Sequence, residues 1–301
     1  LSVTDFTYDE IIELFNLSTK LKKELKQNKI KPYLKNKNLA MMFSKTSTRT
    51  RLSFEVGIQQ LGGNGIFIEM DTLQLGKGET IHDTAKVMSR YLDGIMIRTY
   101  SHQEVEDLAK YSSIPVINGL TDFLHPCQAL ADFFTALEYK GTTKNLKFCF
   151  IGDGNNVSRS LMFTSAILGS HFIIASPEGY QLDTESVNKA KEIAKKSGGS
   201  VELVKSPKDA AKNADVLYTD VWISMGQEKE KADREKAFQD YQINSNILSI
   251  AKKDSIVMHC LPAKRNLEIT DEVMDGPNSV VFDEAENRLH VQKAIMLKLM
   301  G

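Results

Sequence analysis

Residues 39–51 read Leu39-Ala40-Met41-Met42-Phe43-Ser44-Lys45-Thr46-Ser47-Thr48-Arg49-Thr50-Arg51. Five apolar residues in succession, ended by hydroxyls, have the length of a strand buried on both faces. The stretch that follows, residues 52–61, reads as a helix. Strand, polar turn and helix in this order make the opening of an α/β unit, with hydroxyls and backbone N–H groups gathered at a helix N-terminus. Such a place attracts phosphate. Arg49 can add a planar fork that pairs with two oxygens at once, whereas Arg51, two residues on, should point elsewhere. Taken alone, the pattern is equally an ordinary Ser/Thr cap followed by surface arginines.

The same alternation continues outward. Short apolar runs at residues 65–70, 94–97 and 114–117 extend the first series of strands. A second series falls at residues 146–151, 172–175, 201–204, 216–218, 256–258 and 280–282, with helical sequence such as residues 184–196 between the runs. Residues 128–139 read as a helix leading to a turn at residues 140–143, and residues 286–300 as a terminal helix. The expected fold class is therefore α/β with two domains, each a parallel sheet flanked by helices. The boundaries expected are 1–135 for the first domain, 136–285 for the second and 286–301 for a C-terminal helix returning to the first. Polar clusters at residues 44–50, Arg98, 125–128, 152–156, 220–226 and 259–262 lie just past apolar runs, where open parallel sheets bind ligands. An interdomain cleft is the expected place for an active site.

The 301 residues exceed what one hydrophobic core serves well, which agrees with two domains. A net charge of −1 offers no broad field for nucleic acid or an anionic membrane, so neither is an expected partner. Cys127, Cys149 and Cys260 are too scattered for a paired metal motif, and their odd number suits a reducing compartment. No metal or cofactor is expected. Residues 1–31 are mixed in charge and amphipathic, unlike a signal peptide, and no apolar run approaches the ~18 residues of a membrane span. The expected location is the cytoplasm.

Ser47-Thr48-Arg49-Thr50-Arg51 together with His125-Pro126-Cys127-Gln128 resembles the two carbamoyl-phosphate motifs of the aspartate/ornithine carbamoyltransferase family. The resemblance implies that Ser47, Thr48, Arg49 and Thr50 bind phosphate, that Arg98 spans phosphate and carbonyl oxygen, that His125 contacts that oxygen and that Gln128 receives the carbamoyl amide. Arg288 matches the family's late arginine that reaches back to carbamoyl phosphate. The residue types agree with the chemistry, because attack on the carbamoyl carbon places charge on its oxygen and preformed donors stabilise it. The loop Thr72-Leu73-Gln74-Leu75-Gly76-Lys77-Gly78-Glu79 reads by itself as a surface loop. In the family this loop enters a neighbouring subunit's site, which implies a trimer with Gln74 reaching carbamoyl phosphate.

Asp220-Val221-Trp222-Ile223-Ser224-Met225-Gly226 and His259-Cys260-Leu261-Pro262 are similar to the acceptor-side motifs of family members that take ornithine. The implied acceptor is ornithine's side-chain amine, and the implied products are citrulline and phosphate, within arginine metabolism. Asp220 and Cys260 would position that amine with the Leu261 carbonyl, while Asn156, Ser224 and Met225 would take the amino acid's carboxylate. Arg98, His125, Asp220 and Cys260 are thus the expected catalytic residues. Cys127 and Cys149 read as small buried hydrophobes.

Three rival readings follow from the same residues. Gly152-Asp153-Gly154-Asn155-Asn156 after an apolar strand has the outline of a dinucleotide-binding turn, but Val157 stands where the third glycine of G-x-G-x-x-G belongs. A non-catalytic sensor of carbamoyl phosphate would not need Arg98, His125, Gln128, Asp220 and Cys260 together. Related acceptors such as putrescine, acetylornithine or succinylornithine remain the nearest alternatives, and Ser224-Met225-Gly226 favours ornithine.

Overall fold

The computed structural model describes residues 1–74, 78–224 and 226–301. They form two compact units, Leu1–Ala131 with Glu286–Gly301, and Asp132–Ala285. The change from one unit to the other after Ala131 falls inside a helix, α5 (Pro126–Lys140).

In the first unit the helix α1 (Tyr8–Lys26) opens with a reciprocal cap. Thr7 Oγ1 accepts the Glu10 N–H while the Glu10 carboxylate accepts the Thr7 N–H at 2.8 Å. The strands β1 (Asn38–Phe43), β2 (Asn64–Glu69), β3 (Gly94–Arg98) and β4 (Val116–Leu120) pair in parallel in the order β2-β1-β3-β4. The helices α2 (Thr48–Gln60), α3 (Ile81–Tyr91) and α4 (His102–Tyr111) connect them. β1 and β3 are central and buried along nearly their whole length, whereas β2 lies at an edge with Ile66 and Phe67 exposed. β4 begins only after Pro115, whose missing N–H cannot join the ladder. The order reverses between β1 and β3, so their carboxyl ends flank a switch point where ligands are bound in open α/β sheets. The β3–β4 register slips between Ile97 and Arg98, an irregularity of the kind that re-aims a side chain next to a site.

The second unit holds β5 (Lys147–Ile151), β6 (His171–Ala175), β7 (Ser200–Val204), β8 (Val216–Thr219) and β9 (Ile256–His259), parallel in the order β7-β6-β5-β8-β9. The helices α6 (Asn156–Leu168), α7 (Thr184–Ser197), α8 (Pro207–Ala211), α9 (Lys231–Phe238), α10 (Ser245–Ile250) and α11 (Asp271–Met274) accompany the strands. Its core, including Cys149, Ile151, Leu217, Val257 and Ile269, lies against one sheet face. The switch point is between β5 and β8. Gly154 in the loop after β5 allows a close approach, since a Cβ there would stand 2.4 Å from the backbone of Gln181 and Leu182.

Residues 280–282, expected as a strand, are not one. The chain makes a single parallel bridge at Ser279 and Val257, with the Val280 N–H donating to the Val257 carbonyl at 3.0 Å, and then turns into the helix α12 (Val281–Met300). Asp283 in its first turn suits a helix N-terminus, and the helix prevails over the local apolar run. From Glu286 onward this helix belongs to the first unit. Gly57 of α2 lets Met296 and Lys293 come close, Lys293 Nζ donates to Gln60 at 3.0 Å and Lys22 Nζ to Asn287 at 2.7 Å. Among the described residues no helix is long and apolar enough to cross a membrane.

Candidate active site

In the first unit a polar cluster is built at the carboxyl ends of β1 and β3. Ser47 is the N-cap of α2, with extended backbone, and its Oγ accepts the Thr50 N–H at 3.2 Å while its carbonyl accepts that of Arg51 at 3.0 Å. The cap leaves the N–H groups of Thr48 and Arg49 as those an anion would take. Thr48 is exposed, Arg49 half-buried and Thr50 fully buried. Arg51 turns away, to Glu55 at 3.3 Å and over the Phe67 ring at 4.0 Å.

Two guanidinium groups meet at the Thr50 hydroxyl: Arg98 Nη1 at 3.4 Å and Arg288 Nη2 at 3.1 Å. Arg288 Nη1 also donates to Gln128 Oε1 at 3.0 Å. Arg98, Arg288, Gln128 and His125 are all buried. Burial first, then the charges of Arg288 and Arg98, hold the His125 imidazole well below its usual pKa. It therefore stays neutral at physiological pH, suited to donate a hydrogen bond to a developing oxyanion without first losing a proton. Gln74 lies in the loop that follows β2. Its side chain is exposed, and its carbonyl accepts the Glu79 N–H at 3.3 Å. Sequence reasoning passed over Lys45, which is buried, paired with Asp122 and 4.2 Å from the Tyr100 ring centroid.

In the second unit another polar cluster lies at the ends of β5, β8 and β9. Asp220 Oδ1 accepts the Cys260 thiol at 3.0 Å and the Val221 N–H at 2.8 Å, and Oδ2 accepts the Asn155 side-chain amide at 2.8 Å. Burial and then the Asp220 carboxylate push the Cys260 thiol well above its ordinary pKa, so it remains a protonated donor. Asn155 has a structural task, since its Oδ1 also caps α6 by accepting the N–H groups of Val157 and Ser158 at 3.0 Å. Asn156 is the first residue of α6 and half-buried. The Ser224 N–H donates to Gln227 Oε1 at 2.9 Å, and Met225 lies outside the described residues. The Leu261 N–H donates to His259 Nδ1 at 2.9 Å, which leaves the proton on Nε2, 3.1 Å from the buried Glu268 carboxylate. Asp220, His259 and Cys260 bring one donor atom each within 4.8 Å of one another. Of the three, Cys260 donates to Asp220, while the ring nitrogens of His259 are taken up by the Leu261 N–H and Glu268. Cys127 and Cys149 are buried, with thiols pushed by burial up to about 11 and about 12.

The second unit also holds a carboxyl pair that sequence reasoning missed. Glu284 Oε1 accepts the Tyr218 hydroxyl at 3.1 Å, Oε2 accepts the His259 N–H at 2.9 Å, and the side chain is hydrogen-bonded to Asp132. Burial first, then Asp132, pushes the Glu284 carboxyl well above the usual range. The folded chain thus holds a proton that the unfolded chain releases above pH ~4.3, and stability falls as pH rises from there toward the folded pKa. Glu284→Gln removes that titration. Its deficit in urea-unfolding free energy relative to wild type is expected to shrink with rising pH, by at most ~1.4 kcal/mol per pH unit. A gap that stays constant from pH 5 to 9 would refute the shared proton.

Residues 1–138 match the family model of the carbamoyl-P binding domain of aspartate/ornithine carbamoyltransferase, and residues 144–299 that of the Asp/Orn binding domain. The chain belongs to the aspartate/ornithine carbamoyltransferase family. A protein of Caldicellulosiruptor saccharolyticus named ornithine carbamoyltransferase is 56% identical over 297 residues, covering 99% of this chain and 96% of its own length. One of Pyrococcus furiosus, named ornithine carbamoyltransferase, anabolic, is 52% identical over 301 residues, covering 100% and 96%. The solved structure of ornithine carbamoyltransferase from Pyrococcus furiosus matches with a TM-score of 0.96 at 52% identity, covering 99% of this chain and 95% of that one.

Proposed function

We infer that this chain is a transferase that moves the carbamoyl group of carbamoyl phosphate to the side-chain amine of L-ornithine, giving L-citrulline and phosphate. The observation that carries the acceptor half is the Asp220 carboxylate paired with a protonated Cys260 thiol at 3.0 Å, an anionic grip for an amine. Full-length relatives named ornithine carbamoyltransferase support the same reading.

In this reading the phosphate rests on the N-terminus of α2 against Ser47, Thr48, Arg49 and Thr50. Arg98 and His125 donate to the carbamoyl oxygen, Gln128 receives the carbamoyl amide, and Arg288 adds charge beside Thr50. The ornithine amine is held by Asp220, Cys260 and the Leu261 carbonyl, its carboxylate by Asn156, Ser224 and Met225. The amine must be neutral to attack, so the site has to strip the proton of a lysine-like ammonium. A carbon–nitrogen bond forms, the carbon–oxygen bond to phosphate breaks, the proton lost by the nitrogen leaves with the phosphate, and that phosphate stays paired with the cations around Thr50. The word anabolic in the Pyrococcus furiosus relative's name supports a place in arginine biosynthesis. The scattered, unpaired cysteines support a cytoplasmic location.

The active assembly is a homotrimer in which the Gln74 loop serves a neighbouring subunit. Exposed Leu52, Val56, Ile66 and Phe67 on α2 and the edge strand β2 support self-association, which sedimentation velocity would measure.

The test is citrulline formation by the purified chain, comparing ornithine with aspartate, putrescine and acetylornithine, with Arg49→Ala as control. Strong preference for ornithine, lost in the variant, is expected. Turnover of another acceptor would overturn the roles of Asp220, Ser224 and Cys260, and no turnover at all would favour a sensor.

A further inference from the structure

The loops after β5 and β8 are stitched together at two points. Asn155 Nδ2 donates to Asp220 Oδ2 at 2.8 Å. Two residues away on each side, a single nitrogen of Arg234 makes the second stitch, with Nη1 2.8 Å from Asp153 Oδ2 and 3.0 Å from the Trp222 carbonyl. The result is a closed ring through Asp220, Trp222, Arg234, Asp153 and Asn155. Arg234 is itself held. Only 6% of it is exposed, its Nε donates to Glu230 at 2.8 Å, and the guanidinium carbon lies 4.9 Å from the Tyr180 ring centroid. Trp222 and Ile223 are buried against Phe238.

One hydrogen bond between two loops is a pivot, whereas two bonds offset by two residues fix both separation and angle. A buried guanidinium paired with a carboxylate and capped by a backbone carbonyl is well suited to the second role, since its planar donors have fixed directions. We propose that Arg234 is the positioning residue of the acceptor half, locking the Trp222 backbone to Asp153 so that Asp220 and Ser224 are presented together to the amino acid. This rests on the reading of those loops as the ornithine site. Arg234 acts through the Trp222 backbone and Asp153, and its effect is on acceptor binding alone.

The chain's single tryptophan is Trp222, so its emission reports this loop directly. The experiment compares wild type, Arg234→Ala and Arg234→Lys by steady-state kinetics with each substrate varied in turn, and by Trp222 emission without substrate. Misplacement of binding groups by about an ångström costs on the order of 100-fold, so KM for ornithine should rise roughly 30- to 100-fold in Arg234→Ala. KM for carbamoyl phosphate should stay within about twofold, and Trp222 emission should shift to the red. Arg234→Lys keeps a cation in the buried place, so it should recover part of the ornithine affinity and the blue emission, and it serves alone if the alanine variant does not fold. Equal losses toward both substrates, or wild-type values throughout, would overturn the proposal. If the wild-type chain makes no citrulline, the functional reading fails instead. Trp222 emission then decides the positioning by itself, and an unshifted spectrum in either variant refutes it.

Discussion

Replacing Arg98 with methionine lowers kcat for citrulline formation by about 10³-fold, the loss expected when a preformed donor to a developing oxyanion is removed. Arg98 ends a buried central strand at the switch point of its sheet, and the register slip beside it brings the guanidinium to 3.4 Å from the Thr50 hydroxyl. In the proposed reaction carbamoyl phosphate brings an anion to this buried cation. Methionine keeps the apolar stem and so separates loss of charge from loss of packing. Arg98→Lys restores the charge without the fork, and its rate should fall between the two. The variant should fold, because Arg98 Nη1 is a long 3.4 Å from Thr50 and Arg288 still reaches that hydroxyl at 3.1 Å. Thermal unfolding run beside the kinetics would verify this. A kcat within tenfold of wild type for Arg98→Met would remove Arg98 from the catalytic set.

The α/β pattern was legible because parallel strands buried on both faces leave continuous apolar runs, and the clusters after β1, β5, β8 and β9 interrupt those runs with hydroxyls, glycines and asparagines. Residues 280–282 misled because three apolar residues in a row carry no period, and the acidic first turn that makes them the approach to a helix is a weaker signal. The residues that hold the site rather than line it were invisible for a different reason. Arg234 lies in a charge-rich stretch that reads as a solvated surface, and its partner Asp153 is 81 positions away. Asp132 sits inside a helix among apolar neighbours and Glu284 in the acidic first turn of another, and only the fold shows that both are buried against one another. Arg288 sits in an amphipathic helix, where most arginines are solvated, yet it reaches both Thr50 and Gln128. Its place was suggested by family resemblance and not by any local pattern.

Asp220→Asn raises KM for ornithine by about 100-fold, in line with the ~1.5–3 kcal/mol of a hydrogen bond to a charged group, and leaves KM for carbamoyl phosphate within about twofold. The substitution is almost isosteric, so its effect is chemical. In the wild type Oδ1 accepts two donors, the Cys260 thiol and the Val221 N–H, and Oδ2 accepts the Asn155 amide. An asparagine has only one acceptor oxygen. Whichever way its amide is turned, an NH₂ group faces a donor, either the Asn155 amide or the Cys260 thiol and Val221 N–H. The anion that attracts the ammonium is lost at the same time. The thiol responds too. Asp220 is the largest influence after burial that keeps Cys260 protonated, so the Cys260 pKa should fall toward its ordinary value in the variant. Alkylation of Cys260 by iodoacetamide at pH 8 should therefore be faster in Asp220→Asn than in wild type, with Cys127 and Cys149 buried and slow in both. Unchanged ornithine affinity, or a Cys260 no more reactive than in the wild type, would separate the two residues and require a different group to receive the amine.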